Sequence, residues 1–321
     1  AAHYNTEKMY DYLLEKHNRN SIDGNGFRLR SWVHYGMNFS NALWTGGWMI
    51  YGDGDGAYYL PFTSIDVTGH EITHGLTEYT AGLIYSYEPG ALNEGFSDIF
   101  GTLLEYYTDP ECADWLIGED VISAFGVHAF RNMSNPKDPQ ILVPQPDTYF
   151  GQYWHVGSSD HGGVHSNSGL LNYWFYLMVE GGSGTNDHLL DYDVAALDNN
   201  FELSMEKAAD IAYRTLSIYL FPAAQYADAR AASIQAAIDL HGENSEEVAT
   251  VTNAWCAVGV GECAINSNTI TVLNPNGGEI WEQGLDQTIS WESEGEIDSV
   301  MIELSINNGA TWQTIAEATE N

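Results

Sequence analysis

Val67-Thr68-Gly69-His70-Glu71-Ile72-Thr73-His74 is the stretch on which the reading of this chain turns. On a helix, His70 and His74 lie one turn apart and face the same way, so their imidazoles can grip one metal ion. Glu71 directly follows the first of them. That sets its carboxylate beside the metal's open position, where it can take a proton from water. Alone, such a pair is also what an ordinary polar helix face presents. Twenty residues after His74 comes Glu94, within Gly90-Ala91-Leu92-Asn93-Glu94-Gly95-Phe96-Ser97-Asp98. A carboxylate from a second helix completes a two-histidine, one-glutamate site and leaves the fourth position for water. Asn93 and Asp98 flank it, and each can accept the N–H of a ligating imidazole.

Outward from this segment, residues 5–17 read as an amphipathic helix, with Met9, Tyr10, Leu13 and Leu14 at helical spacing. After Gly24 and Gly26, Phe27, Leu29, Val33 and Tyr35 alternate as in a strand, and a second strand is expected from Ala42 to Tyr51. From about Asp66 to Leu240 the segments lengthen and become helical. Residues 268–321 carry short alternating stretches with Asn-Gly turns, the way a β-sandwich begins, but too few of them to close two sheets. The expected fold is α+β: a strand-bearing N-terminal lobe over 1–82, a mainly helical lobe over 83–263 with the metal site between them, and a linker with a partial β module over 264–321.

Composition limits the function. The 45 acidic against 10 basic residues give a formal net charge of −35, so a nucleic-acid partner, which needs a basic face, is disfavoured. No run of eighteen apolar residues occurs, so no membrane span is expected, and no basic-then-apolar signal opens the chain. If the protein is exported, its targeting segment has already been removed. Three cysteines are too few for a disulfide scaffold. Cys256 and Cys263 are close enough for a local disulfide, which leaves Cys112 over. With no CxxC pair, a metal site must be built from His and carboxylates.

The HExxH-x19-E spacing within its Asn-Glu…Ser-Asp surround resembles the thermolysin family of metallopeptidases. Asn41-Ala42-Leu43-Trp44, Tyr51-Gly52-Asp53-Gly54-Asp55-Gly56, Thr80-Ala81-Gly82-Leu83-Ile84-Tyr85, Gly162-Gly163-Val164-His165-Ser166-Asn167-Ser168-Gly169 and Ala257-Val258-Gly259-Val260 resemble further family motifs, in the family's order. The resemblance covers residues 1 to about 261. It implies zinc on His70, His74 and Glu94, with Glu71 as general base. Tyr85 and His165 would stabilise the oxyanion, and Asp160 would orient His165. Arg131 would hold a substrate carbonyl, Asn41 and Ala42 the substrate backbone. Phe62, Val67, Ile117, Val121 and Phe130 would line the pocket for the side chain after the cut bond. What it implies overall is a secreted, monomeric endopeptidase acting on proteins or peptides. An aminopeptidase is disfavoured because its Gly-x-Met-x-Asn motif is absent, and an inactive adhesive protein because every catalytic position is filled.

The resemblance also implies two calcium ions, held by Asp66, Glu105, Asp114 and Glu119 with the backbone carbonyl of Leu116. Carboxylates converging without counter-cations repel one another, and hard divalent ions relieve that. A further family calcium site is expected to be missing, since Val121–His128 carries no carboxylate. The family places a strand-rich segment ahead of the first helix, so the chain is expected to be a fragment. Residues after Cys263 resemble an immunoglobulin-like module.

Overall fold

A computed structural model describes residues 1–123, 126–264, 269–282, 284–294, 297, 299–307 and 309–320. It has two units, Ala1–Cys263 and Ala264–Asn321. The expected division at 82/83 lies within the first unit.

Helix α1 (Ala2–His17) buries Met9, Tyr12 and Leu13 against the core. Leu14, expected on the same face, is 40 % exposed, because Tyr12 and not Leu14 completes the apolar stripe. The strand expected over 27–35 reduces to β1 (Ser31–Trp32), with Phe27 and Leu29 half-buried before it. His34 (φ 57°) and Gly36 (φ 69°) turn the backbone out of extended geometry just beyond. The single strand expected over 42–51 is instead a hairpin of β2 (Ala42–Trp44) and β3 (Met49–Tyr51). Thr45 closes its turn by donating from its backbone N–H to the Trp48 carbonyl at 3.0 Å, with Gly46 at φ 85°. β1 pairs parallel to β3, giving the order β1-β3-β2.

Two long helices carry the decisive residues: α2 (Ile65–Glu78) and α3 (Tyr87–Thr108). Both are buried over most of their length, so helix packs directly on helix. Gly69 and Gly101 make that approach possible. A Cβ built on Gly69 would lie 2.9 Å from the Gly101 Cα, and one on Gly101 would lie 2.6 Å from the Asp66 carbonyl oxygen.

A short ladder of β4 (Leu116–Ile117) and β5 (Arg131–Asn132) follows. Next come α4 (Asp160–Asn167), α5 (Gly169–Glu180) and the hairpin β6 (Gly182–Thr185) with β7 (Asp191–Val194). Helix α6 (Phe201–Arg214), a π-helical turn Thr215–Tyr219, α7 (Tyr226–His241) and α8 (Glu246–Ala257) complete the unit. Trp174 of α5 stacks on Trp255 of α8 at 4.8 Å, both fully buried. Trp255 donates its indole N–H to Ser233 Oγ at 2.7 Å, which satisfies the polar atom this burial strands. Cys256 and Cys263 are disulfide-bonded, and Cys112 is free and exposed.

In the second unit, β8 (Thr269–Asn274) pairs antiparallel with β9 (Ser290–Glu294), and β10 (Ser299–Leu304) with β11 (Gln313–Glu320). These remain two separate two-stranded sheets among the described residues, so no sandwich is closed. Ile280, Ile306 and Trp312 stay exposed there. Among the described residues no helix is long and apolar enough to cross a membrane.

Candidate active site

One turn of α2 presents His70 and His74 to a cleft of about 560 Å³, and α3 delivers Glu94 opposite them. His70 Nδ1 lies 2.8 Å from Asp98 Oδ1, and His74 Nδ1 lies 2.8 Å from Asn93 Oδ1. Asn93 Nδ2 donates to the Leu83 carbonyl, which keeps the amide oxygen turned toward His74. Those contacts fix Nδ1 as the donor of both rings and turn Nε2, the nitrogen a metal ion would take, toward the cleft. Those two Nε2 atoms are only 3.1 Å apart, with Glu94 oxygens 3.3 Å and 3.5 Å away. Glu94 Oε2 is buried without a hydrogen bond. Three electron-pair donors facing one another repel unless a cation lies among them. Two imidazoles and one carboxylate, with a side open to the cleft, fit a catalytic zinc ion.

The surroundings reinforce that preference for positive charge. Burial disfavours the charged form of His70, but hydrogen bonds that its ring donates to Asp98 and Glu94 overcome it and push the pKa up to about 10. Burial likewise works against charge on Asp98, yet Arg131 and His70 hold it down at about 2. Arg131 grips Asp98 with two hydrogen bonds of 2.6 Å each. Asn172 Nδ2 donates to the same carboxylate at 2.8 Å. Glu71 is buried beside the histidines, and burial raises its pKa while His70 and His74 oppose the rise.

Tyr85 and His165 also line the cleft, and Asp160 is bonded to His165. His165 Nδ1 is 2.6 Å from Asp160 Oδ1, and the His165 backbone N–H donates to Asp160 Oδ2 at 2.9 Å. That grip holds the ring with Nε2 toward the cleft, 3.1 Å from the Tyr85 hydroxyl. The Tyr85 hydroxyl donates to Glu94 Oε1. Such reach depends on the start of α4, where Gly162 (φ 93°) and Gly163 (φ 83°) take left-handed geometry. A Cβ there would meet the Tyr87 ring at 2.4 Å or His155 at 2.6 Å.

Asn41, Ala42, Phe62, Val67, Phe130 and Arg131 all reach the cleft wall. Phe62 and Phe130 stack at 5.7 Å. Ile117 and Val121 correct the expectation: both are fully buried and neither lines the cleft. Val121 is tied into the turn after β4, bonding to the Gly118 and Leu60 backbones, and the Phe130 ring lies against Gly118. Arg131 is committed to Asp98 as well as facing the cleft, a double role that its position in sequence did not reveal. Asn172 was missed too. Its signal is a lone amide inside the apolar run Leu170–Val179.

Glu105, Asp114 and Glu119 bring carboxylate oxygens within 4.8 Å of one another. Asp66 accepts from the Gly118 N–H at 2.5 Å through Oδ2, while its Oδ1, Glu105 Oε2 and Glu119 Oε2 are buried without partners. Burial first, and then the charge of Asp66, push Glu105 up to about 8 and Glu119 up to about 9. Leu116 opens β4 beside this cluster, and Asp114 Oδ1 accepts from its N–H at 2.7 Å. Of the loop expected to lack a further calcium site, Ala124 and Phe125 lie outside the described residues.

Residues 1–78 match the model of the thermolysin metallopeptidase catalytic domain, and 81–260 that of its alpha-helical domain. Over 261 residues the chain is 45 % identical to thermolysin from Alicyclobacillus acidocaldarius subsp. acidocaldarius, covering 81 % of this chain and 44 % of that protein. It is 44 % identical over 262 residues to the neutral protease NprE of Bacillus pumilus, covering 81 % of this chain and 76 % of that one. It thus spans less than half the length of the Alicyclobacillus thermolysin. Among solved structures, the precursor of protealysin, a metalloproteinase from Serratia proteamaculans, superposes with a TM-score of 0.67 at 36 % identity, covering 81 % of this chain and 77 % of that one. With both halves of its first unit matched to the same family and a donor set arranged for zinc, the chain belongs to the thermolysin metallopeptidases.

Proposed function

We propose that this chain is a secreted, monomeric zinc endopeptidase that cuts proteins or peptides before hydrophobic residues. The observation that carries the reading is the convergence of His70, His74 and Glu94 with Glu71 beside them on one open cleft. When bound by those three residues, zinc supplies Lewis-acid polarisation of the scissile carbonyl and of water. Glu71 takes the proton of the attacking water as the new carbon–oxygen bond forms, then passes it to the amine nitrogen, which leaves as the peptide bond breaks. The Tyr85 hydroxyl and His165 Nε2 stabilise the carbonyl oxygen as it gains negative charge. Asp160 steadies His165, while Asn41, Ala42 and Arg131 hold the substrate backbone.

Phe62, Val67 and Phe130 offer no partner to a charged side chain, which would lose its hydration there. The Phe130 ring fills part of the space, so Leu or Ile is preferred to Trp. Asp66, Glu105, Asp114 and Glu119, with the Leu116 carbonyl, hold two structural calcium ions. The segment after Cys263 belongs to an immunoglobulin-like module.

The test is digestion of a peptide library by metal-stripped and zinc-reconstituted protein, with the new amino termini mapped. Activity that a chelator abolishes and zinc restores, with most cuts before hydrophobic residues, is the expected result. Chelator-resistant hydrolysis, or a majority of cuts before Asp, Glu, Lys or Arg, would overturn it.

A further inference from the structure

The backbone under His165 is short of hydrogen-bond partners by construction. Helix α4 ends at Asn167, so the carbonyl of His165 belongs to its last turn and has no N–H available within the helix. Gln145 supplies one from outside. It is 2 % exposed, and its Nε2 donates to the His165 carbonyl at 2.6 Å and to Ser168 Oγ at 3.1 Å. Ser168 in turn donates its hydroxyl to the same carbonyl at 3.1 Å. Gln145 is itself anchored, since its backbone N–H donates to the Pro136 carbonyl at 2.8 Å. Its side chain also packs on Gly169, where a Cβ would meet Gln145 Cβ at 2.5 Å.

His165 is therefore held from two sides. Asp160 fixes the ring and the backbone N–H, and Gln145 fixes the backbone carbonyl. We infer that Gln145 is a positioning residue for His165, holding the imidazole Nε2 where it meets the developing charge of the substrate carbonyl. This rests on the peptidase reading given above. Stabilising a transient charge demands placement to within a fraction of an ångström, and a displacement of about 1 Å can cost on the order of 100-fold in rate. Half-exposed His165 has little packing of its own to supply that placement.

A merely structural glutamine would lower stability and spread its effect over every kinetic parameter. A positioning one acts only while His165 is present. The test is a double-mutant cycle on the full zinc-loaded chain with Gln145→Met, which keeps the volume and removes the donor, and His165→Ala. With His165 in place, Gln145→Met is expected to lower kcat about 10- to 100-fold with KM changed less than about 3-fold. In the His165→Ala background the same substitution is expected to change kcat by less than about 3-fold. Full activity in Gln145→Met, or losses that multiply in the double variant, would overturn the inference. If Gln145→Met does not fold, Ser168→Ala, which removes the other donor to that carbonyl, goes through the same cycle and the same two outcomes decide. An inactive wild-type chain loaded with zinc would instead overturn the peptidase reading, and this inference with it.

Discussion

Gly69 on α2 and Gly101 on α3 touch backbone to backbone, and this contact sets the distance between the helix that carries the two histidines and the helix that carries Glu94. A methyl group on Gly101 would sit 2.6 Å from the Asp66 carbonyl oxygen and 3.4 Å from the His70 nitrogen, both of them backbone atoms that cannot swing aside. Gly101→Ala is expected to cost about 1–3 kcal/mol, which lowers the melting temperature by roughly 2–12 °C. The helices must also part, so zinc affinity falls in the same variant. Calorimetry and a zinc titration on one preparation check both, and an unchanged affinity would show that the two helices adjust independently.

Glu71→Gln keeps the shape and the buried site but removes the base. Activity on a peptide substrate is expected to fall about 100- to 10,000-fold while zinc content stays at that of the parent. Measuring zinc and turnover on the same sample separates loss of the base from loss of the metal. Substantial turnover in a zinc-replete Glu71→Gln protein would remove Glu71 from the mechanism.

The acidic cluster sets a pH dependence whose sign is opposite to the usual carboxylate case. Glu105 and Glu119 are raised from 4.5 to about 8 and about 9 by burial and by Asp66, so between those limits the folded chain holds more protons than the unfolded one. Their contribution to stability is complete below pH 4.5 and is lost as pH rises through 8 and 9. Calcium-free protein is therefore expected to melt lower at pH 9 than at pH 5. A calcium ion held by the ionised carboxylates should raise the melting temperature more at pH 8 than at pH 5. An equal calcium effect at both values would count against the cluster as a binding site.

His17 works in the other direction. Its ring stacks on Tyr213 at 4.0 Å, and burial followed by the charge of Lys16 pulls its pKa from 6.5 to about 4. Asp210 stands 3.6 Å away and Tyr12 Oη lies 3.3 Å from its Nε2, yet burial prevails over the carboxylate's attraction. A depressed histidine contributes stability that is present above pH 6.5 and lost as pH falls toward 4, at most about 3 kcal/mol. In saturating calcium, His17→Phe should flatten the loss of stability between those two values. A stability profile identical to the parent's would show that His17 titrates in the folded state as it does in the unfolded one.

Helix α1 could be read from apolar spacing because it buries one face, whereas over 66–240 the sequence indicated helix without bounds, and α8 (Glu246–Ala257) lies beyond that range. His70, His74 and Glu94 were legible because metal ligation imposes a spacing on sequence. The strands expected over 27–35 and 42–51 contain β1, β2 and β3, but their short extents and the hairpin were not legible. Apolar alternation gives no sign that His34 leaves extended geometry, or that Thr45 and Trp48 close a turn. The pairing of Arg131 with Asp98 was hidden as well, since it joins residues 33 apart, one on β5 and one on α3, through a contact that only the folded chain creates. Ile117 and Val121 were placed in the pocket by resemblance. Apolar residues suit a core and a cleft equally, and only packing decides which they enter.

The disulfide between Cys256 and Cys263 bears on fraying. A helix unravels from its loose end, one turn after another. The bond ties the last turn of α8 to the residue that ends the first unit, so unravelling that begins beyond residue 263 is held at the bond, with α8 and the Trp174–Trp255 stack behind it.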